Sequence, residues 1–163
     1  MNLNYYVIKR DGREEKISFD KILRRIENLC KDLKTIDHVQ IGQKVVSMIC
    51  PGIKTTELDN EAAKIAINME ISTGNLEYGI LSSRILMSNL HKNTSESFTI
   101  TMKELHTDGI INDEFKKVID LYGDYIDKYI VKTRDDGYKY FGFRTLDGLY
   151  LLKNRDKKTI ERT

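Results

Sequence analysis

Residues 7–22 read Val7-Ile8-Lys9-Arg10-Asp11-Gly12-Arg13-Glu14-Glu15-Lys16-Ile17-Ser18-Phe19-Asp20-Lys21-Ile22, and this stretch decides how the N-terminal half is built. Two short extended runs, Tyr5 to Lys9 and Glu14 to Ile17, flank Arg10-Asp11-Gly12-Arg13. Asp-Gly between such runs predicts a hairpin with a type I′ turn, in which both central residues take positive φ. The apolar spacing then lengthens. Phe19, Ile22, Leu23, Ile26, Leu29, Cys30 and Leu33 recur at intervals of three and four and so share one face of a helix. Ser18 is its expected N-cap, and Asp20 suits the positive end of the helix dipole.

Three more helices follow. Val39 to Ile49 turns Ile41, Val45, Val46 and Ile49 inward and is stopped by Pro51-Gly52. The third starts with Thr56 and Asp59 spaced as a capping box, and its stripe is Leu58, Ala62, Ile65, Ala66 and Met69. Small residues at 62, 63 and 66 let another helix come close. Thr73-Gly74-Asn75 breaks the pattern. Leu76 to Leu90 is apolar on more than one side and is expected to be largely buried. A hairpin is not stable alone, so it is expected to cap one end of the four-helix bundle.

Beyond Ser95 the pattern changes. Phe98, Met102 and Leu105 form a helix stripe ending near Asp108-Gly109. Phe115, Val118, Ile119, Tyr122, Ile126 and Tyr129 form another, with a kink expected at Gly123. Tyr138 to Phe143 is aromatic and alternating. Leu149 to Lys153 and Thr159 to Arg162, around Asn154-Arg155-Asp156, read as a second hairpin. The expectation is a mainly α chain with two domains, 1–93 and 94–163. The second has few internal partners, and part of its apolar surface is expected to need further chain.

The 163 residues hold 27 Lys and Arg against 25 Asp and Glu, a net charge of +2. That balance gives no broad field for nucleic acid or anionic lipid. With 40% hydrophobic residues the chain can build a core, which argues against disorder. No apolar run is long enough to span a membrane, the N-terminus lacks a signal-peptide core, and two isolated cysteines make no disulfide framework. A cytoplasmic setting is expected.

Catalytic signatures are missing: there is no Walker A loop, dinucleotide fingerprint, nucleophile elbow or zinc-protease pair. His38, His91 and His106 have no ligand spacing and read as surface or helix-end residues. Cys30 and Cys50 read as small buried apolar residues. The chemistry sits in the opening stretch. Lys9, Arg10, Lys16 and Lys21 surround a hairpin and a helix N-terminus, which together supply the cations and free N–H groups that a polyphosphate requires. Glu15 and Asp20 can accept bonds from ribose hydroxyls or an adenine amine. The same residues also suit a solvated hairpin of mixed charge.

The segment V-I-K-R-D-G-R-x-E-x-x-x-F-D-K-I resembles the opening of an ATP-cone domain. Gly52 to Asp59 resembles the entry to the cone's third helix. Tyr78 to Lys92, with Ser83-Arg84 and Asn89-Leu90-His91-Lys92, resembles its fourth. Tyr140 to Leu146 and Tyr150 to Lys153 resemble the segment before the barrel in the large subunit of class I ribonucleoside-diphosphate reductase. The resemblance implies a hairpin-capped four-helix cone, a helical segment and a short terminal hairpin. It implies an allosteric site for ATP as activator and dATP as inhibitor, with Mg2+. Lys9, Arg10 and Lys92 would meet the phosphates. Glu15, Lys16, Ile17, Ser18, Phe19, Asp20 and Lys21 would wrap base and sugar, and Thr55 and Asp59 would complete the pocket. The implied partners are the remainder of the large subunit or a second large subunit, and the radical-generating small subunit.

The family's thiyl-radical cysteine, redox cysteine pair and barrel all lie beyond the point matching Thr163, so the chain is expected to be inactive alone. Two other readings stay open. One is a degenerate cone serving only as an oligomerisation or docking module. The other is the cone of a nucleotide-sensing transcriptional repressor, which would need two C-x-x-C pairs that this sequence lacks.

Overall fold

A computed structural model describes residues 6–163. Tyr5, where the sequence reading starts the first strand, lies outside them. The chain divides into two units, one ending at Asn89 and the other beginning at Leu90.

The first unit opens with β1 (Tyr6–Ile8) and β2 (Glu14–Lys16), paired antiparallel with Val7 opposite Glu15. The turn is not type I′. The Lys9 N–H donates to the Arg13 carbonyl at 2.8 Å and the Gly12 N–H to the Lys9 carbonyl at 3.0 Å. Gly12 has φ +82°, while Asp11 is not in the left-handed region. The loop is therefore three residues long, a type I turn closed by a left-handed glycine. Asp11 braces it by accepting from the Arg13 backbone N–H at 3.1 Å and Nε at 2.8 Å.

A third strand, β3 (Ile53–Lys54), pairs parallel to β1 and completes a sheet of order β2-β1-β3. At two residues it is too short to leave a periodic signal. It also moves the start of the third helix. Helix α3 (Thr55–Thr73) is entered straight from Lys54, whose N–H donates to Glu57 at 3.3 Å. The expected box of Thr56 and Asp59 does not form. Glu57 has the longer reach back to the helix start, and Asp59 is turned inward, 6% exposed.

Helix α1 (Phe19–Leu29) is capped by Ser18, which accepts from the Lys21 N–H at 3.4 Å. It ends before Leu33, which falls in a following turn. Helix α2 (His38–Ser47) is capped by Asp37. Helix α4 (Glu77–Asn93) carries the division between the units. In the first unit Ile26, Ile41, Val45, Ala62, Ala63, Ala66, Leu81 and Ile85 are buried. The small residues of α3 act as expected: the buried Ser82 hydroxyl donates to the Ala63 carbonyl at 2.6 Å. Cys50, expected to be buried, is exposed in the turn before Pro51; Cys30 is buried.

The second unit contains the end of α4, then α5 (Phe98–Thr107) and α6 (Asp113–Tyr129). Met102, Leu105, Ile119 and Ile160 form its core cluster, with Phe98 and Ile111 against it. Gly123 does not interrupt α6. A Cβ there would lie 2.4 Å from Thr99 Oγ1, so glycine is required by the close approach of α5. The alternating aromatics are helical: α7 (Tyr140–Thr145) buries Phe143 and leads into a π-helical turn, Leu146–Tyr150. Phe141 and Phe143, two apart, suit a strand face, whereas Tyr140 and Phe143, three apart, suit a helix face. The terminal hairpin is reduced to one antiparallel bridge, Lys153 with Thr159. The Glu161 carboxylate takes the Leu152 N–H at 2.8 Å, removing a donor that a longer ladder would use.

Candidate functional site

The polar centre of the first unit is Asp59, near the start of α3. Arg25, on α1, donates Nε to its Oδ1 at 2.5 Å and Nη2 to its Oδ2 at 2.8 Å, a forked pairing. Arg10, in the hairpin turn, donates Nη2 to Oδ2 at 3.1 Å. The same nitrogen donates to Asn89 Oδ1 on α4 at 2.5 Å, and Nη1 reaches Thr55 Oγ1 at 3.5 Å. Asn89 in turn donates to the Thr56 carbonyl at 3.3 Å. The hairpin, α1, α3 and α4 therefore meet at one guanidinium–carboxylate cluster. Asp59 and Arg25 also line a small, mainly apolar recess with Ile22, Ile26, Leu58, Ala62 and Ile85.

Glu15 makes a second centre, on the face of the hairpin. Lys21 Nζ lies 2.7 Å from its Oε1 and Lys9 Nζ 3.5 Å from its Oε2. The Lys21 ammonium, helped by Lys9, holds the Glu15 carboxyl below the usual carboxylate range. Lys9 and Lys21 thus pair with Glu15, and Arg10 with Asp59.

Of the residues expected from the sequence, the structure groups Lys9, Glu15 and Lys21 in one cluster and Arg10, Thr55 and Asp59 in the other. Ile17 and Ser18 are half-buried between β2 and α1, whereas Lys16, Phe19 and Asp20 are exposed. Lys92 sits on the last turn of α4, in the second unit. Sequence reading missed Arg25 and Asn89 as members of the cluster. The available signal for Arg25 was its position beside Ile22 and Ile26, at the edge of the apolar stripe, where a cation is retained when it has a partner. Among the described residues, no group of three or more His, Cys, Asp or Glu could hold a metal, and no helix is long and apolar enough to cross a membrane.

Residues 5–93 match the family model of the ATP cone domain. The chain belongs to the ATP-cone family. It is also similar to ribonucleoside-diphosphate reductase large subunits. It is 42% identical over 168 residues to the large chain of Schizosaccharomyces pombe, covering 96% of this chain and 20% of that one. It is 42% identical over 160 residues to the large subunit of Dictyostelium discoideum, covering 90% and 18%. Over 163 residues it is 40% identical to the large subunit of variola virus, covering 93% and 21%. The chain spans about a fifth of the length of the curated relatives it matches.

Proposed function

We propose that the cone binds a purine nucleoside triphosphate, ATP as activator and dATP as inhibitor. In this reading the chain is the N-terminal regulatory part of a ribonucleoside-diphosphate reductase large subunit and has no reductase activity alone. The observation that carries the proposal is the convergence of the hairpin turn and three helices on the Arg10–Asp59 cluster, beside two more cations. A ligand placed there touches the hairpin turn, α1, α3 and α4 at once.

The phosphates are assigned to Lys9 and Arg10. The stretch from Glu15 to Lys21 borders base and ribose, with the Ser18-capped start of α1 adding a favourable dipole. Thr55 and Asp59 line the α3 side. Lys92 is assigned to the phosphates by the family resemblance alone. Glu15 and Asp59 are already engaged by cations, so Mg2+ is left to the triphosphate itself.

ATP and dATP differ by one hydroxyl, and a single hydrogen bond contributes about 0.5–3 kcal/mol. Affinity alone therefore discriminates modestly. Regulation follows if the two ligands bias different arrangements of the cone and so different assemblies with further large-subunit chain and the small subunit.

The test is titration calorimetry of ATP and dATP into the 163-residue chain, alongside thermal unfolding. Saturable heats are expected for both, and a ligand at a hundredfold excess over Kd should stabilise by about 2.7 kcal/mol. A folded sample that takes up neither nucleotide at millimolar concentration contradicts the reading and favours a cone used only for docking.

A further inference from the structure

The two arginines on Asp59 are not equivalent. Arg25 stands within α1 and uses two nitrogens, one to each carboxylate oxygen, at 2.5 and 2.8 Å. Arg10 stands in a turn, reaches one oxygen at 3.1 Å and divides itself between Asn89 and Thr55. Asp59 is 6% exposed and lines a mainly apolar recess. A carboxylate in such a place requires a counter-ion, because stranding a buried charge costs far more than an exposed one.

If Arg10 were the sole partner, turning it toward a phosphate would strand Asp59, and that penalty would be charged against ligand affinity. With Arg25 holding both oxygens, Arg10 can leave. Resting on the nucleotide reading above, we propose that Arg25 is a positioning residue, the standing counter-ion of Asp59, whose grip frees Arg10 to exchange that carboxylate for the phosphates of a bound nucleotide. The exchange also couples ligand to fold. The hairpin turn loosens its tie to α3 when the site fills, while α1 keeps its own.

A double-mutant cycle separates this role from simple scaffolding. The probe is inorganic tripolyphosphate with Mg2+, which has neither ribose nor base for Asp59 to contact, with ATP titrated in parallel. The unmodified chain, R25Q, D59N and R25Q/D59N are compared by calorimetry after circular dichroism confirms folding. In R25Q both ligands should bind at least about tenfold more weakly, since Arg10 must then strand a buried charge. D59N should bind tripolyphosphate no more weakly than the unmodified chain, and R25Q/D59N should lie within about threefold of D59N.

Recovery in the double variant is the decisive readout, because a merely structural loss at Arg25 would persist there. An R25Q affinity equal to that of the unmodified chain, or a double variant no tighter than R25Q, overturns the proposal. Should R25Q not fold, D59N and R25Q/D59N decide: affinities within about threefold support the role, and a loss of about tenfold overturns it. An unmodified chain that binds neither ATP nor tripolyphosphate overturns the nucleotide reading itself. Binding by the unmodified chain with no rescue overturns only the role of Arg25.

Discussion

Residues 6–89 and 90–163 differ in how much apolar core stands behind their side-chain ties. The first unit joins elements far apart in sequence through charged and polar side chains: Arg10 and Arg25 on Asp59, Arg84 on Asp32, and Thr35 on Glu77. The second has such ties too, Arg162 to the His91 carbonyl and Ser97 to Asp127, but a smaller core, with a cluster of four buried residues and two more against it, and it leaves many large apolar side chains exposed. Leu121 is 76% exposed, Tyr129 67% and Leu149 78%. The difference teaches where each is vulnerable. The first unit should suffer most from loss of the buried carboxylate on which its elements converge, and the second, with the smaller core, from loss of one apolar side chain.

The largest expected effect is that of Asp59→Ala. It leaves two guanidinium groups without their carboxylate and should destabilise by about 3–5 kcal/mol. Urea unfolding measures the loss, and hydrogen exchange should place it among amides of residues 6–89. Leu105→Ala should cost about 3 kcal/mol, because Leu105 is fully buried in the small core cluster of its unit. Its lost protection is expected in residues 98–129. If both variants loosen the same amides equally, the contrast between the units fails.

Gly123→Ala should cost about 1–2 kcal/mol by thermal unfolding. The new methyl meets the stiff Thr99 side chain, and overpacking outweighs the gain of about 1 kcal/mol in helix propensity. Asp127→Ala should cost about 1 kcal/mol at neutral pH, as loss of a helix cap does. Asp127 on α6 accepts from the Ser97 hydroxyl at 2.7 Å and the Phe98 N–H at 2.6 Å at the start of α5. Partial burial alone would raise its pKa, but these bonds hold it below the ordinary carboxylate value. Its contribution is thus complete above about pH 4, the unfolded value, and fades as pH falls through the lower folded value. The gap between D127A and the unmodified chain should close over that acid range.

The smallest effect concerns the Asp32 carboxyl, lowered to about 2 by the forked hydrogen bonds of Arg84. In an NMR titration, Arg84→Lys should move the Asp32 midpoint up toward the usual value, with little change in melting. A fixed midpoint would show that the fork is not what holds it.

Much of this was legible in the sequence because the deciding signals are local. Ser18, the apolar spacing after it, the small residues at 62, 63 and 66, and the stop at Gly74 each act within a turn or two. The left-handed Gly12 was legible, but the loop type was not. Asp-Gly is compatible with a two- or three-residue loop, and the pairing of Ile8 with Glu14 selects the longer. The two-residue β3 left no periodicity. At the site, Lys9, Arg10, Glu15 and Lys21 lie close in sequence and could be read together. Arg25 and Asn89 join Asp59 and Arg10 across 34 and 79 residues; the place of Arg25 at the edge of the apolar stripe hints at a partner, but one sequence does not say which. In the second unit, Tyr140 to Phe143 misled because four residues carry strand and helix spacings at once.

The central claim is that hairpin cations bind a nucleoside triphosphate. The most direct test compares ATP binding by the unmodified chain, Lys9→Ala and Lys103→Ala in one calorimetric series. Lys103 pairs with Asp120 in the second unit at 3.8 Å and serves as a control of equal charge. ATP affinity should fall at least about tenfold in Lys9→Ala, as expected for a lost charge-assisted phosphate contact, and hold within about twofold in Lys103→Ala. Equal losses in the two variants, or an unmodified folded chain that takes up no ATP, would contradict it.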